Sequence, residues 1–175
     1  MIKKSYSLLF PLLLVLVLLS GCKSSKPNQQ SSTSAPAPKQ PVVEQELSDD
    51  QKKLVKAARS YIGTKYKYGG MSKRGTDCSG LIFMSYSEIG KSLPRTSNEQ
   101  SKIGTRIYIG ELQVGDLVFF GAKPRSKKIT HVGLITEING KSVTFVHAST
   151  SRGVIENDLS TEYYHDRYIM AVRPL

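Results

Sequence analysis

Cysteine and histidine are scarce in this 175-residue chain, with two of the first and three of the second, and acidic residues are outnumbered, 14 Asp and Glu against 25 Lys and Arg. Two cysteines, Cys22 and Cys78, exclude a disulfide framework and permit one bridge at most. His131, His147 and His165 lie too far from one another and from Cys78 for any short-range ligand signature, so no metal and no cofactor is expected. Nor is there an apolar run long enough to stay in a bilayer. Leu8–Leu19 reaches 12 residues and contains Pro11, whereas a spanning helix requires roughly 20.

What the first residues do contain is an export pattern. In "MIKKSYSLLFPLLLVLVLLSGC", Lys3 and Lys4 precede the apolar stretch and small residues follow it. Its last four residues, "LSGC", resemble a bacterial lipobox, which implies acylation of Cys22 and removal of residues 1–21; a plainly secreted protein is the alternative. If Cys22 carries lipid it is unavailable for a disulfide, and Cys78 becomes a lone thiol in a compartment that oxidises thiols.

Residues 23–45, "KSSKPNQQSSTSAPAPKQPVVEQ", are rich in Ser, Pro, Gln and Lys and offer too little apolar surface to offset the entropy of folding. They read as a disordered tether. The remaining segment, 46–175, is expected to form one domain. It is basic in its own right, with 20 Lys and Arg against 13 Asp and Glu. An export signal removes such a domain from cytoplasmic nucleic acid, and its cations are scattered rather than striped. An anionic envelope polymer or a membrane surface fits better than nucleic acid.

Within that domain "SDDQKKLVKAARSYIG" predicts a helix: Ser48 caps it, Asp49 and Asp50 occupy the first turn, Leu54, Val55, Ala58, Tyr61 and Ile62 recur at helical spacing, and Gly63 ends it. "YKYGG" is a turn. A second helix is expected from Cys78 to Gly90 with Asp77 as N-cap, and a third over Ser97–Gly104 with a capping box between Ser97 and Gln100. The period then changes to that of strands in "DLVFF", "HVGLITEI", "SVTFVHAS" and "YIMAVR". Helices followed by antiparallel strands give an α+β class.

Cys78 sits where a helix begins, facing unpaired N–H groups and the positive end of the helix dipole, which lowers a thiol pKa. The other reading is a small buried cysteine. A reactive thiol needs a base. His131, at the start of a strand of apolar residues, is the preferred one; His147, on one strand face with Val143 and Phe145, suits a second imidazole that orients the first, or else a core histidine satisfied by backbone. His165, in "TEYYHDRY", has no strand or helix signal around it and reads as surface or packing.

"YKYGG", "TDCSGLIF", "LPRTSNEQ", "GDLVFF", "HVGLI" and "FVHAS" occur in this order over residues 50–175, and together they resemble the NlpC family of papain-like cell-wall cysteine peptidases. The resemblance implies an α+β papain-like domain with N-terminal helices packed on an antiparallel sheet. It implies Cys78 as nucleophile, His131 as base and later acid, and His147 as the third, orienting residue. Tyr68 would line the site and join the Cys78 N–H at the oxyanion. Asp77, Ser79 and Arg95 match motif positions near the cleft; Asp77 also caps a helix, and Arg95 either braces the fold or holds a substrate carboxylate. The implied substrate is the stem peptide of peptidoglycan, cut between D-glutamate and diaminopimelate or across a D-alanyl to diaminopimelate crosslink. A monomer is expected, lipid-anchored in the cell envelope, and in the outer membrane facing the periplasm if the cell is Gram-negative. A non-catalytic wall-binding lipoprotein and a thiol acyltransferase are the competing classes.

Overall fold

A computed structural model describes residues 46–174. The signal segment 1–22, the acylation candidate Cys22 and the tether 23–45 lie outside the described residues. Among the described residues no helix is long and apolar enough to cross a membrane.

Helix α1, Asp49–Arg59, begins at a reciprocal cap. The Ser48 hydroxyl accepts from Gln51 N at 3.2 Å while Gln51 Oε1 accepts from Ser48 N at 2.8 Å, so two otherwise orphaned N–H groups are satisfied. Its buried stripe of Leu54, Val55 and Ala58 packs against α2. A two-residue hairpin, β1 (Met71–Ser72) with β2 (Gly75–Thr76), precedes α2, which spans Cys78–Ser87. That helix stops three residues short of the expected Gly90, which instead takes a positive φ in the turn beyond it. α2 is apolar around most of its girth and correspondingly buried, with Leu81, Ile82 and Tyr86 fully covered.

Helix α3 is shorter than expected, Ser97–Gln100, and its cap is Thr96 rather than Ser97. The Thr96 hydroxyl accepts from Glu99 N and donates to Glu99 Oε2 at 2.7 Å; the Thr96 to Glu99 spacing supplies a carboxylate that Ser97 to Gln100 lacks.

Six strands form one antiparallel sheet in the order β3-β8-β4-β5-β6-β7. The expected strands are β4 (Leu117–Gly121), β5 (Ile129–Asn139), β6 (Ser142–Ser149) and β8 (Tyr168–Arg173); the two edges, β3 (Thr105–Ile107) and β7 (Gly153–Asp158), are additional. Alternation along β4 divides the core. Leu117 and Phe119 join Leu54, Leu81 and Tyr86 beneath the helices, whereas Val118 and Phe120 join Phe145, Leu159 and Tyr164 on the other face. That second face is closed by the chain between β7 and β8, including a four-residue helix, α4, Glu162–His165. The expectation of no regular structure around His165 is therefore corrected. A bidentate pair between Arg173 and the buried Asp116, at 2.7 and 2.9 Å, ties β8 to the turn before β4.

Candidate active site

Three segments converge at one end of the sheet: the start of α2, the start of β5 and the end of β6. Asp77 caps α2 by accepting from Gly80 N at 2.7 Å. Gly80 is demanded by a close approach, because a Cβ there would lie 2.2 Å from the Gly70 carbonyl oxygen. The turn that contains Tyr68 and Gly69 is thereby packed onto the helix N-terminus. Asp77 holds it again by accepting from Gly69 N at 2.8 Å.

Arg95 completes this side. Its guanidinium forks onto Asp77, Nη1 to Oδ1 at 2.9 Å and Nη2 to Oδ2 at 2.8 Å, and also donates to Ser79 Oγ at 2.9 Å and Gly70 O at 3.3 Å. Burial pushes the Asp77 carboxyl up, but the bonds from Arg95, Gly80 and Gly69 outweigh it and hold the group below the usual carboxylate range. Arg95 is thus a brace. Tyr68, Asp77, Cys78, Ser79, Arg95 and Thr130 line a single depression of about 320 Å³, with Tyr68 88% exposed at its rim.

Cys78 forms no disulfide among the described residues and is 8% exposed. It receives the N–H of Val132, the residue after His131, together with those of Ser79 and Cys78 itself. The helix position predicted a depressed pKa. Burial, reinforced by the Asp77 carboxylate, instead pushes the thiol up despite the three N–H groups, so the resting site holds a thiol.

The imidazoles extend from the sheet face of Phe120 and Phe145. Gly133 permits this packing, since a Cβ there would stand 2.4 Å from the Phe145 ring. His131 Nε2 lies 2.9 Å from His147 Nδ1, and His147 Nε2 lies 3.0 Å from Asn157 Oδ1. The tautomers follow from this chain. Asn157 Oδ1 only accepts, so His147 carries its proton on Nε2; its Nδ1 is then an acceptor, and His131 must donate from Nε2. Nδ1 of His131 is left with a lone pair and no hydrogen-bond partner among the described residues. Tyr164 reinforces the arrangement by donating to Asn157 Oδ1 at 3.1 Å, with its oxygen 3.0 Å from His147 Nε2.

Burial, and then the neighbouring His147, pushes His131 down to about 3. Burial also lowers His147, opposed by the bond to Asn157. A neutral imidazole with a free lone pair, one residue before the Val132 whose N–H meets the thiol, can take a proton once a substrate draws the sulfur forward. His165 stays outside the constellation, exposed and 3.5 Å from Asp166. Asn157 and Tyr164, in contrast, belong to it and were not singled out from the sequence. They come from β7 and α4, whose mixed polar residues carry no periodic signal.

A family model described as NlpC/P60 family matches residues 63–173. The chain belongs to the NlpC/P60 family. It is 36% identical over 166 residues to "Probable endopeptidase NlpC" of Escherichia coli K12, covering 93% of this chain and 96% of that one. It is 34% identical over 177 residues to the "Murein DD-endopeptidase MepS/Murein LD-carboxypeptidase" of the same strain, covering 94% and 90%. Among solved NlpC/P60 structures, one from Staphylococcus aureus subsp. aureus Mu50, described as similar to lipoprotein, superimposes with a TM-score of 0.62 at 34% identity, covering 74% of this chain and 43% of that one. The α+β papain-like fold and the peptidase class expected from the sequence accord with these likenesses.

Proposed function

We propose that this NlpC/P60 protein is a peptidoglycan endopeptidase in which Cys78 is the nucleophile, His131 the base and acid, and His147 the residue that positions His131. The observation that carries the assignment is the directed chain from Asn157 through His147 to His131. It leaves a basic Nδ1 on the strand whose next residue donates to the Cys78 thiol.

His131 Nδ1 takes the thiol proton as Cys78 Sγ bonds to the carbonyl carbon of the scissile amide. The oxygen gathers negative charge, and in this reading the Cys78 N–H in the first turn of α2 and the Tyr68 hydroxyl receive it. Collapse breaks the C–N bond, and the proton passes from His131 to the departing amine. Water then adds to the thioester, giving its proton to His131, and the acid leaves as Cys78 regains the proton. Asp77 and Arg95 act through position, because their bonds to Gly69 and Gly70 fix the turn that presents Tyr68, and Ser79 steadies Arg95 by accepting from it.

Relatives named as murein or probable endopeptidases support the polymer and bond class. The basic domain suits an anionic wall. Acylation at Cys22 and an envelope location, in the outer membrane if the cell is Gram-negative, rest on the "LSGC" sequence after an export signal, and the lipoprotein description of the Staphylococcus aureus relative supports the acylation. The protein acts as a monomer in this reading. Mass spectrometry of purified muropeptides incubated with full-length protein tests the activity: new fragments differing by one water across a stem or crosslink amide are expected, and unaltered muropeptides would overturn it. Transfer of the acyl group to an added amine in preference to water would replace hydrolase by acyltransferase.

A further inference from the structure

On the histidine side of the cleft lies a second void of about 290 Å³, lined by His131, His147, Tyr163, Tyr164 and Arg167 among others, and meeting the first at Thr130. No residue lining it is acidic. The Arg167 guanidinium lies 3.8 Å from the centre of the Tyr163 ring and donates from Nη1 to Tyr163 O at 2.9 Å. Its Nε is buried without a hydrogen-bond partner among the described residues. Arg59, Arg95 and Arg173 each meet a carboxylate; Arg167 enters no ion pair among the described residues.

A stacked, partly desolvated guanidinium with a free N–H is built to receive a planar anion.

Location decides which carboxylate. The group that leaves is the one protonated by His131, so it departs over His131 rather than over Cys78. A void of this size, at the small end of the roughly 300–1,000 Å³ of ligand pockets, has room for little more than one residue of the leaving segment. In a D-alanyl crosslink, the carbon that bears the departing amine of diaminopimelate also bears a free carboxylate. In the D-glutamyl bond of a longer stem, the equivalent carboxyl is already consumed in the next amide.

We propose that Arg167 is the carboxylate anchor of a leaving-segment subsite, binding the anion on the carbon that carries the released amine and so favouring crosslinks over D-glutamyl bonds. The direction of departure rests on the endopeptidase reading above; the anion site itself does not.

The test uses two ligands: a D-alanyl to meso-diaminopimelate crosslinked muropeptide, and the same compound with the carboxylate beside the scissile amide converted to a carboxamide. With full-length protein, amidation should lower kcat/KM by about ten- to a hundredfold, the range of one charge-assisted bond. Arg167→Gln should bring the two compounds within about twofold of each other, and Arg167→Lys, which keeps charge without the fork, should fall between. Equilibrium binding in Cys78→Ala, with and without Arg167→Gln, should reproduce the pattern without turnover. Equal losses on both compounds in Arg167→Gln, or no penalty for amidation in the unsubstituted protein, would overturn the anchor. Cleavage of neither compound alongside Arg167-dependent binding would sink the endopeptidase reading and leave the anion site standing.

Discussion

On the cysteine side of the cleft the charged groups are paired: Asp77 meets Arg95 through a two-point fork and accepts two backbone N–H groups besides. On the histidine side the polar groups form a neutral file, His131 to His147 to Asn157, set among Phe120, Phe145 and Tyr164. The first side uses charge to hold backbone in place. The second uses low polarity to keep two imidazoles uncharged and in one tautomer. Disturbing the first should therefore reach stability as well as activity, whereas disturbing the second should change rate and pH dependence with less effect on folding.

The largest effect on rate is expected from the reacting pair. Under the assignment proposed above, Cys78→Ala and His131→Ala each remove an atom that the proton and acyl transfers require, so muropeptide cleavage should fall to background in both. Residual turnover in His131→Ala at neutral pH would assign the base elsewhere.

Asp77→Ala should separate the two sides. It strands the Arg95 guanidinium, removes the α2 cap and frees the Tyr68 turn, a loss of roughly 2–4 kcal/mol given that Arg95 is partly solvated. Chemical denaturation should register the drop together with reduced cleavage. Asp77→Asn, which still accepts from Gly80, should recover part of the stability.

Next comes the file of hydrogen bonds. His147→Asn should retain activity within about tenfold and His147→Ala should lose about a hundredfold, because an amide can still accept from His131 Nε2 whereas a methyl cannot. Asn157→Leu should mimic His147→Ala in part by releasing the tautomer, with denaturation midpoints close to the unsubstituted protein. His165→Ala, outside the file, should leave cleavage intact.

The smallest effects are those of pH, and they sharpen the contrast. With His131 held near 3, cleavage should show no acid limb centred on the ordinary histidine value of about 6.5. Cys78 alkylation should climb through a midpoint above the free-thiol value, because burial disfavours the thiolate. Stability should behave in the opposite sense to a salt-bridged histidine. The unfolded chain protonates both imidazoles below about pH 6.5 while the folded chain does not, so stability falls with acidification, by up to about 1.4 kcal/mol per pH unit for each. His131→Gln should flatten that slope between pH 6 and 5 in thermal melts.

How much of this the sequence discloses depends on whether a signal is local. Ser48, Asp77 and the apolar spacing of Leu54 to Ala58 report on their own neighbourhood, and the starts of α1 and α2 fall where those residues put them, whereas α1 ends at Arg59, short of the expected Gly63. His131 and His147 stand out because a polar ring in an apolar strand needs a partner. β3 and β7 are edge strands with mixed faces, and a hairpin of two-residue strands has no period to detect. The rise rather than fall of the Cys78 pKa could not be read locally, since it arises from burial against β5. In "TEYYHDRY" the histidine draws the eye, yet its neighbours Tyr164 and Arg167 are the ones that face the cleft.

The covered, protonated state of Cys78 also bears on chemical durability. Peroxides and small disulfides are attacked by thiolates, and access governs how far oxidation proceeds toward sulfinic and sulfonic acids. A thiol 8% exposed and biased toward its protonated form offers such oxidants little thiolate and little room. Such a thiol is slow to oxidise, and under the mechanism proposed above it gains its nucleophilic form as His131 takes its proton.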